Sequence, residues 1–338
     1  YWKLFRYALG GGLIVAFLCI FKARISIQHF PPFWEAFFFG LNYSLGFIMI
    51  HILHFTLATK QPAMTASTIA ETLGAWEEEN PNSRSRDKKL QEVAPIIARL
   101  VRSQFISLVG NVMMVFPVAY GLTWFYEYIF NDSVVPIEKS QKMIAELAPF
   151  TSAALPHAAI AAIFLMTSGL IAGYYDNKVV YDDIPERLRR YSWLRKVLPK
   201  RIFLKFVDYI EKNLGALAGN FYLGLFLGFM GNIGKILGLN LDIRHVTFAA
   251  GNFALALFTL KNDVSVEVIS ITVLGILLIG LVNVSVSFGL SVVVALKSRN
   301  ITFTETRKLV LFILKTFWKN PWQFFLPFEH KPQIINKS

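Results

Sequence analysis

The 338 residues are 54% hydrophobic and only 17% charged, with a mean hydropathy of +0.48. A soluble domain of this size averages about 25% charged residues; here the apolar residues also gather into long runs between charged segments, which excludes an ordinary soluble fold and points to a polytopic membrane protein. The net charge of +12 invites a nucleic-acid reading, but Lys and Arg also collect in cytoplasmic loops of membrane proteins, where they set orientation and meet anionic lipid.

The first unit, 1–58, holds two runs long enough to span a bilayer, 5–21 and 33–58. Cys19, the only cysteine, lies in the first run, so no intrachain disulfide can form. The chain begins at Tyr1 without an initiator Met or a signal-peptide pattern, and we expect it to be a piece of something longer. In the second run His51 and His54, three residues apart, are expected to share a helix face near Asn42. With His157 they could line a polar path for protons or a ligand; the alternative is neutral imidazoles bonding across helices. No metal site and no cofactor is assigned. The span ends in HFTLATKQPAMTA (54–66), where Pro62 stops the helix and Lys60 marks the cytoplasmic edge.

Residues 59–103 read as a cytoplasmic amphipathic segment, with a Thr-x-x-Glu capping box at 68–71 and a helical pattern in LQEVAPIIARLVRS (90–103). The unit 104–175 contains the third and fourth spans, 104–130 and 152–175, with Asn111 in the one and His157 in the other. Residues 176–213 are basic and amphipathic. Pro185 and Pro199 each sit where a helix would begin, and the apolar residues among their Arg and Lys suit a membrane interface or a partner surface.

The unit 214–296 is rich in Gly and Asn. It contains the runs 214–238 and 264–296, the shorter stretch 245–260, and a repeat, AGNFYLGLF (218–226) and AGNFALALF (250–258). Gly lets helices approach closely, and an intramembrane Asn must find a partner. Asn220, Asn252, Asn232 and Asn111 therefore either glue helices together or line a polar cavity between broken helices. Asp242, Arg244 and His245 are expected at a membrane boundary, the first two as an ion pair. The last unit, 297–338, is a basic tail.

Charge sets the orientation. The segments 60–103, 176–213 and the tail after 296 carry seven, ten and eight Lys/Arg, against two each in 22–32 and 131–151. The rule that positive loops stay inside places both ends of the chain in the cytoplasm. An even number of crossings then separates 213 from 297. We expect an all-α integral membrane bundle of six spans plus one re-entrant segment at 245–260, with amphipathic cytoplasmic helices; seven spans is the alternative.

Arg244-His245 followed by apolar residues is similar to part of the active-site box of tyrosine recombinases. The residue three before Arg244 is Leu241 where that chemistry needs His, and no tyrosine follows, the last being Tyr222. Ser83 and Ser85 lie in a charged turn without the context of a serine nucleophile. GFMGNIGK (228–235) lacks phosphate-loop spacing, and Ile236 stands where Ser or Thr would hold magnesium. The chain carries no catalytic constellation that can be named, so we lean against an enzyme.

Two stretches, HFTLATKQPAMTA (54–66) and GNFYLGLFLGFMGNIGKILGLNLDIRHVTFAAGNFALALF (219–258), closely resemble the bacterial family of site-specific recombinase (Gcr-type) transmembrane proteins. The resemblance implies the C-terminal membrane half of a longer protein of the bacterial inner membrane, whose N-terminal region would be a partner. It implies DNA recombination by name and brings no catalytic residues with it. From the residues we expect a non-enzymatic membrane protein in transport, lipid handling or envelope-assembly scaffolding. Its partners would be membrane lipid and envelope subunits or a second copy, with DNA disfavoured. The alternative is a membrane-tethered recombinase or DNA-binding factor.

Overall fold

The computed structural model describes residues 1–57, 83–298 and 303–327. Lys60 and the capping box at 68–71 lie outside them. Among the described residues the chain is helical without strands. Six helices are long and apolar enough to cross a membrane: α1 (Trp2–Ser26), α2 (Pro32–Ile52), α3 (Ser83–Phe130), α5 (Ala154–Tyr181), α8 (Lys200–Leu237) and α10 (Val266–Ser298). The others are α4 (Ile137–Ala145), α6 (Ile184–Arg190), α7 (Ser192–Val197), α9 (Val246–Thr259) and α11 (Phe303–Lys319), followed by a 3-10 turn at Pro321–Phe324. The architecture is a polytopic helical bundle with one short apolar helix, α9, inside it.

Several boundaries differ from the sequence expectation. The helix read at 90–103 is continuous with the third span in α3, although Pro95 and Pro117 fall inside it. Proline is tolerated in membrane helices because neighbours re-satisfy the freed carbonyls. The helix after Pro199 likewise runs on into the span as α8. The helix after Pro185 splits into α6 and α7 at Tyr191, whose backbone is extended (φ −74°, ψ 100°). The second histidine is not on a helix face at all. The α2 helix ends at Ile52, and His54 is exposed in a left-handed turn with φ 57°.

The helices pair in an order that fixes direction. α1 and α3 run parallel: Asn111 Nδ2 donates to Ala8 O at 2.5 Å near one end, and Arg24 meets Asp132 at 3.2 Å near the other. α2 and α8 run antiparallel, with His51 opposite Asn213 and Ser44 donating to Phe221 O at 2.7 Å. Their backbones touch. A Cβ at Gly228 would fall 2.2 Å from the nitrogen of Gly40, and one at Gly224 2.2 Å from that of Ser44. Only glycine permits that approach.

α9 is buried nearly all round, between α1, α3, α4 and α10. Its Ala and Gly residues make this fit: Ala249, Ala250, Ala254 and Ala256 are each at most 1% exposed, and Gly251 sits against Cys19 and Val115. Phe248, Phe253 and Phe258 then fill the spaces against Tyr43, Phe116 and Tyr120. A short helix apolar on every side belongs in a core.

Candidate functional site

Gly238 ends α8 in a left-handed conformation, φ 66°, and Leu239 N donates back to Gly234 O at 2.9 Å. The chain then turns down into the bundle as a non-helical segment, 239–245, and returns as α9. Asn283 meets its turning point from the middle of α10. It lies about 25 Å along that helix from Val266 at 1.5 Å per residue, so the turn is deep in the bundle.

Non-helical backbone at that depth needs partners, because lipid supplies none. Asn283, fully buried, supplies two of them and ties the turn to α5. Its Oδ1 accepts from Val246 N at 3.0 Å, and its Nδ2 donates to Arg244 O at 3.0 Å and Ala158 O at 2.8 Å. His157 adds two more bonds. Its Nε2 bonds Asn240 O at 3.0 Å, and its carbonyl accepts from Arg244 N at 3.2 Å. His245 caps α9, its ring nitrogen accepting from Thr247 N at 3.3 Å.

Above the descending segment lies a cavity of about 380 Å³. α1 contributes Lys22 and Ser26, α2 Glu35 and Phe39, α4 Lys139 and Lys142, and α8 Gly228, Asn232 and Lys235. Glu146, Asp242, Arg244 and Asn252 complete its polar lining. Arg244, with its side chain 13% exposed, binds Asp242 through Nη1 and Glu146 at 2.8 Å through Nη2. Lys235 pairs with Glu35 at 2.8 Å, and Lys142 lies 3.9 Å from Glu146.

Two cations remain. Half-buried Lys22 places its ammonium over the rings of Phe39 and Tyr43, at 5.3 and 5.5 Å. Lys139 donates to Ser26 Oγ at 2.5 Å, and burial holds its ammonium below the ordinary value of 10.5 against the pull of Glu35. Among the described residues neither has a carboxylate within 4 Å. Asn232, 2% exposed, has an Oδ1 without a hydrogen-bond partner.

The residues singled out from sequence therefore separate. Asp242, Arg244, Asn232 and Asn252 converge on the cavity, and His157 and His245 hold its floor. Asp242, Arg244 and His245 lie on and at the end of the descending segment, and Asp242 and Arg244 form the expected ion pair. His51 bonds Asn213 at 3.0 Å at the opposite end, so the three histidines do not meet. Asn111 ties α1, α3 and the turn at Thr56 together. Asn220 donates to Ala216 O in its own helix at 2.8 Å and does not line the cavity. The two AGNF copies thus serve different places.

Sequence reading missed Lys22, Glu35, Lys139, Glu146, Lys235 and Asn283. Lys22 and Asn283 had a usable signal, a costly polar group at the end or in the middle of an apolar run. The rest came from segments read as loops or helix ends, and α4 was not foreseen. No curated protein and no solved structure matches the chain. The model of the family described as Site-specific recombinase matches residues 1–327, nearly the whole chain, and the protein belongs to that family.

Proposed function

We propose that this chain is a membrane-embedded binding and transfer protein, acting in transport or lipid handling, and that it does not cut DNA. The cavity above the re-entrant segment carries this reading. A half-length helix that returns from the bundle middle, under a polar cavity open at one end, is how transporters build a site within lipid. By the positive-inside rule the cavity opens on the non-cytoplasmic side, where double-stranded chromosomal DNA is not the expected partner. The engagement of Arg244 with Asp242 and Glu146 further supports the reading, because that guanidinium is already neutralised.

The test is native mass spectrometry of the full-length protein, extracted gently from its own membrane, alongside a DNA cleavage assay on the same preparation. A bound small molecule or lipid, lost when the cavity is altered, is the expected result. Strand cleavage by the folded protein, abolished in Arg244→Ala with the fold intact, would restore the enzymatic meaning of the family description.

A further inference from the structure

The charges of the cavity do not balance. Five cations line it, Lys22, Lys139, Lys142, Lys235 and Arg244, against three carboxylates, Glu35, Glu146 and Asp242. The carboxylates are engaged by Lys235, Lys142 and Arg244, which leaves the ammoniums of Lys22 and Lys139 without one among the described residues. Segments 22–32 and 131–151 hold only four Lys/Arg, and three of them, Lys22, Lys139 and Lys142, face this one space. An end of the molecule poor in positive charge has concentrated it in a single cavity.

Two half-buried ammoniums and a cavity wide enough for several heavy atoms suit a doubly charged ligand. The oxygens of Ser26 at Lys139 and of Tyr43 at Lys22 solvate these ammoniums in part and neutralise neither, and a dianion offsets both charges. The buried Asn232 carboxamide, unpartnered at Oδ1, is an acceptor for a ligand hydroxyl; turned over, it is a donor to an oxyanion. The rim offers a further clue. Phe30, Phe33, Trp34 and Phe37, exposed around the start of α2, flank Glu35 of the cavity wall. Exposed aromatics of this kind sit at headgroup level, so the mouth opens where lipid phosphates lie.

We propose that the cavity binds a phosphate dianion, either free phosphate or the phosphomonoester headgroup of a lipid, between Lys22 and Lys139. This rests on the binding-and-transfer reading above and adds its ligand class. Lys22 and Lys139 neutralise the ligand, Asn232 orients it, and the Arg244 carboxylate network fixes the floor beneath it.

The test uses the full-length protein in detergent, with two probes. One is radiolabelled inorganic phosphate at equilibrium. The other is vesicles of phosphatidic acid, compared with phosphatidylcholine vesicles, read by native mass spectrometry of what the protein retains. Lys22→Met and Lys139→Met should each weaken binding of the successful probe by about tenfold or more, the worth of one charge-assisted contact. Glu35→Gln removes a carboxylate from the wall and should tighten binding severalfold, a gain that misfolding cannot produce. Phosphate that binds and displaces phosphatidic acid assigns a free ligand. Phosphatidic acid retained and not displaced assigns a headgroup.

Absence of binding by both probes, or binding unchanged in all three variants, overturns the proposal. If a ligand without phosphate occupies the cavity in the native spectrum, the ligand class fails while the binding-and-transfer reading stands. If the preparation cleaves DNA and retains neither probe, both fail.

Discussion

Asn283 is the one amide in a helix rich in apolar residues, and it closes three backbone groups on two other segments. Replacing it with Leu orphans the Val246 N–H and the Arg244 carbonyl, each costing about 1–3 kcal/mol when buried, while the Ala158 carbonyl keeps its bond within α5. Asn220→Leu removes only a bond within its own helix, to a carbonyl that the helix already uses. Thermal unfolding in detergent should therefore show Asn283→Leu losing about 2 kcal/mol more than Asn220→Leu. Equal losses would mean that the turn is not held as described.

Lys139 gives a second test at this scale. Burial first, with Lys22 and Lys235 nearby, lowers its value from 10.5, while Glu35 and Glu146 oppose the shift. The folded protein then releases this proton before the unfolded chain does, so stability rises as pH climbs from the lowered value towards 10.5. Unfolding temperatures across that alkaline window should rise in the native protein relative to Lys139→Met. A flat difference between the two would contradict the burial of the charge.

At the scale of elements, the contact of α2 with α8 brings Glu35 and Phe39 beside Asn232 and Lys235. It depends on Gly228, where an added Cβ has nowhere to go against the Gly40 backbone. Gly228→Ala should lose about 1–3 kcal/mol, the usual cost of overpacking, whereas Gly173→Ala in α5, with nothing within 4 Å of its Cβ, should be neutral or slightly stabilising. Indistinguishable unfolding temperatures for the two variants would argue against backbone contact between α2 and α8.

For the whole molecule, the question is which end faces the cytoplasm. The basic α6–α7 segment lies at the end opposite the cavity, and the positive-inside rule assigns it to the cytoplasm. Ile137 on α4 and Trp193 on α7 are both exposed, and the native Cys19 is buried. An impermeant maleimide should label Ile137→Cys in intact spheroplasts and Trp193→Cys only after lysis. The reverse pattern would place the cavity in the cytoplasm and return free nucleotides and nucleic acid to the list of ligands.

The sequence by itself determined the class of fold, the number of long spans and the short seventh segment, because hydropathy and loop charge act locally along the chain. It also marked Arg244 and Asp242 as an ion pair, and Asn232 and Asn252 as intramembrane amides that need a partner. It could not say that Asn220 and Asn252 would part company, since identical AGNF motifs carry no record of what packs beside them. Nor could it join Lys22, Glu35, Lys139 and Glu146, which come from three different helices and a turn. Tertiary structure decided that, because a cavity is a property of how helices cross, and the contact of Gly228 with Gly40 sets the crossing.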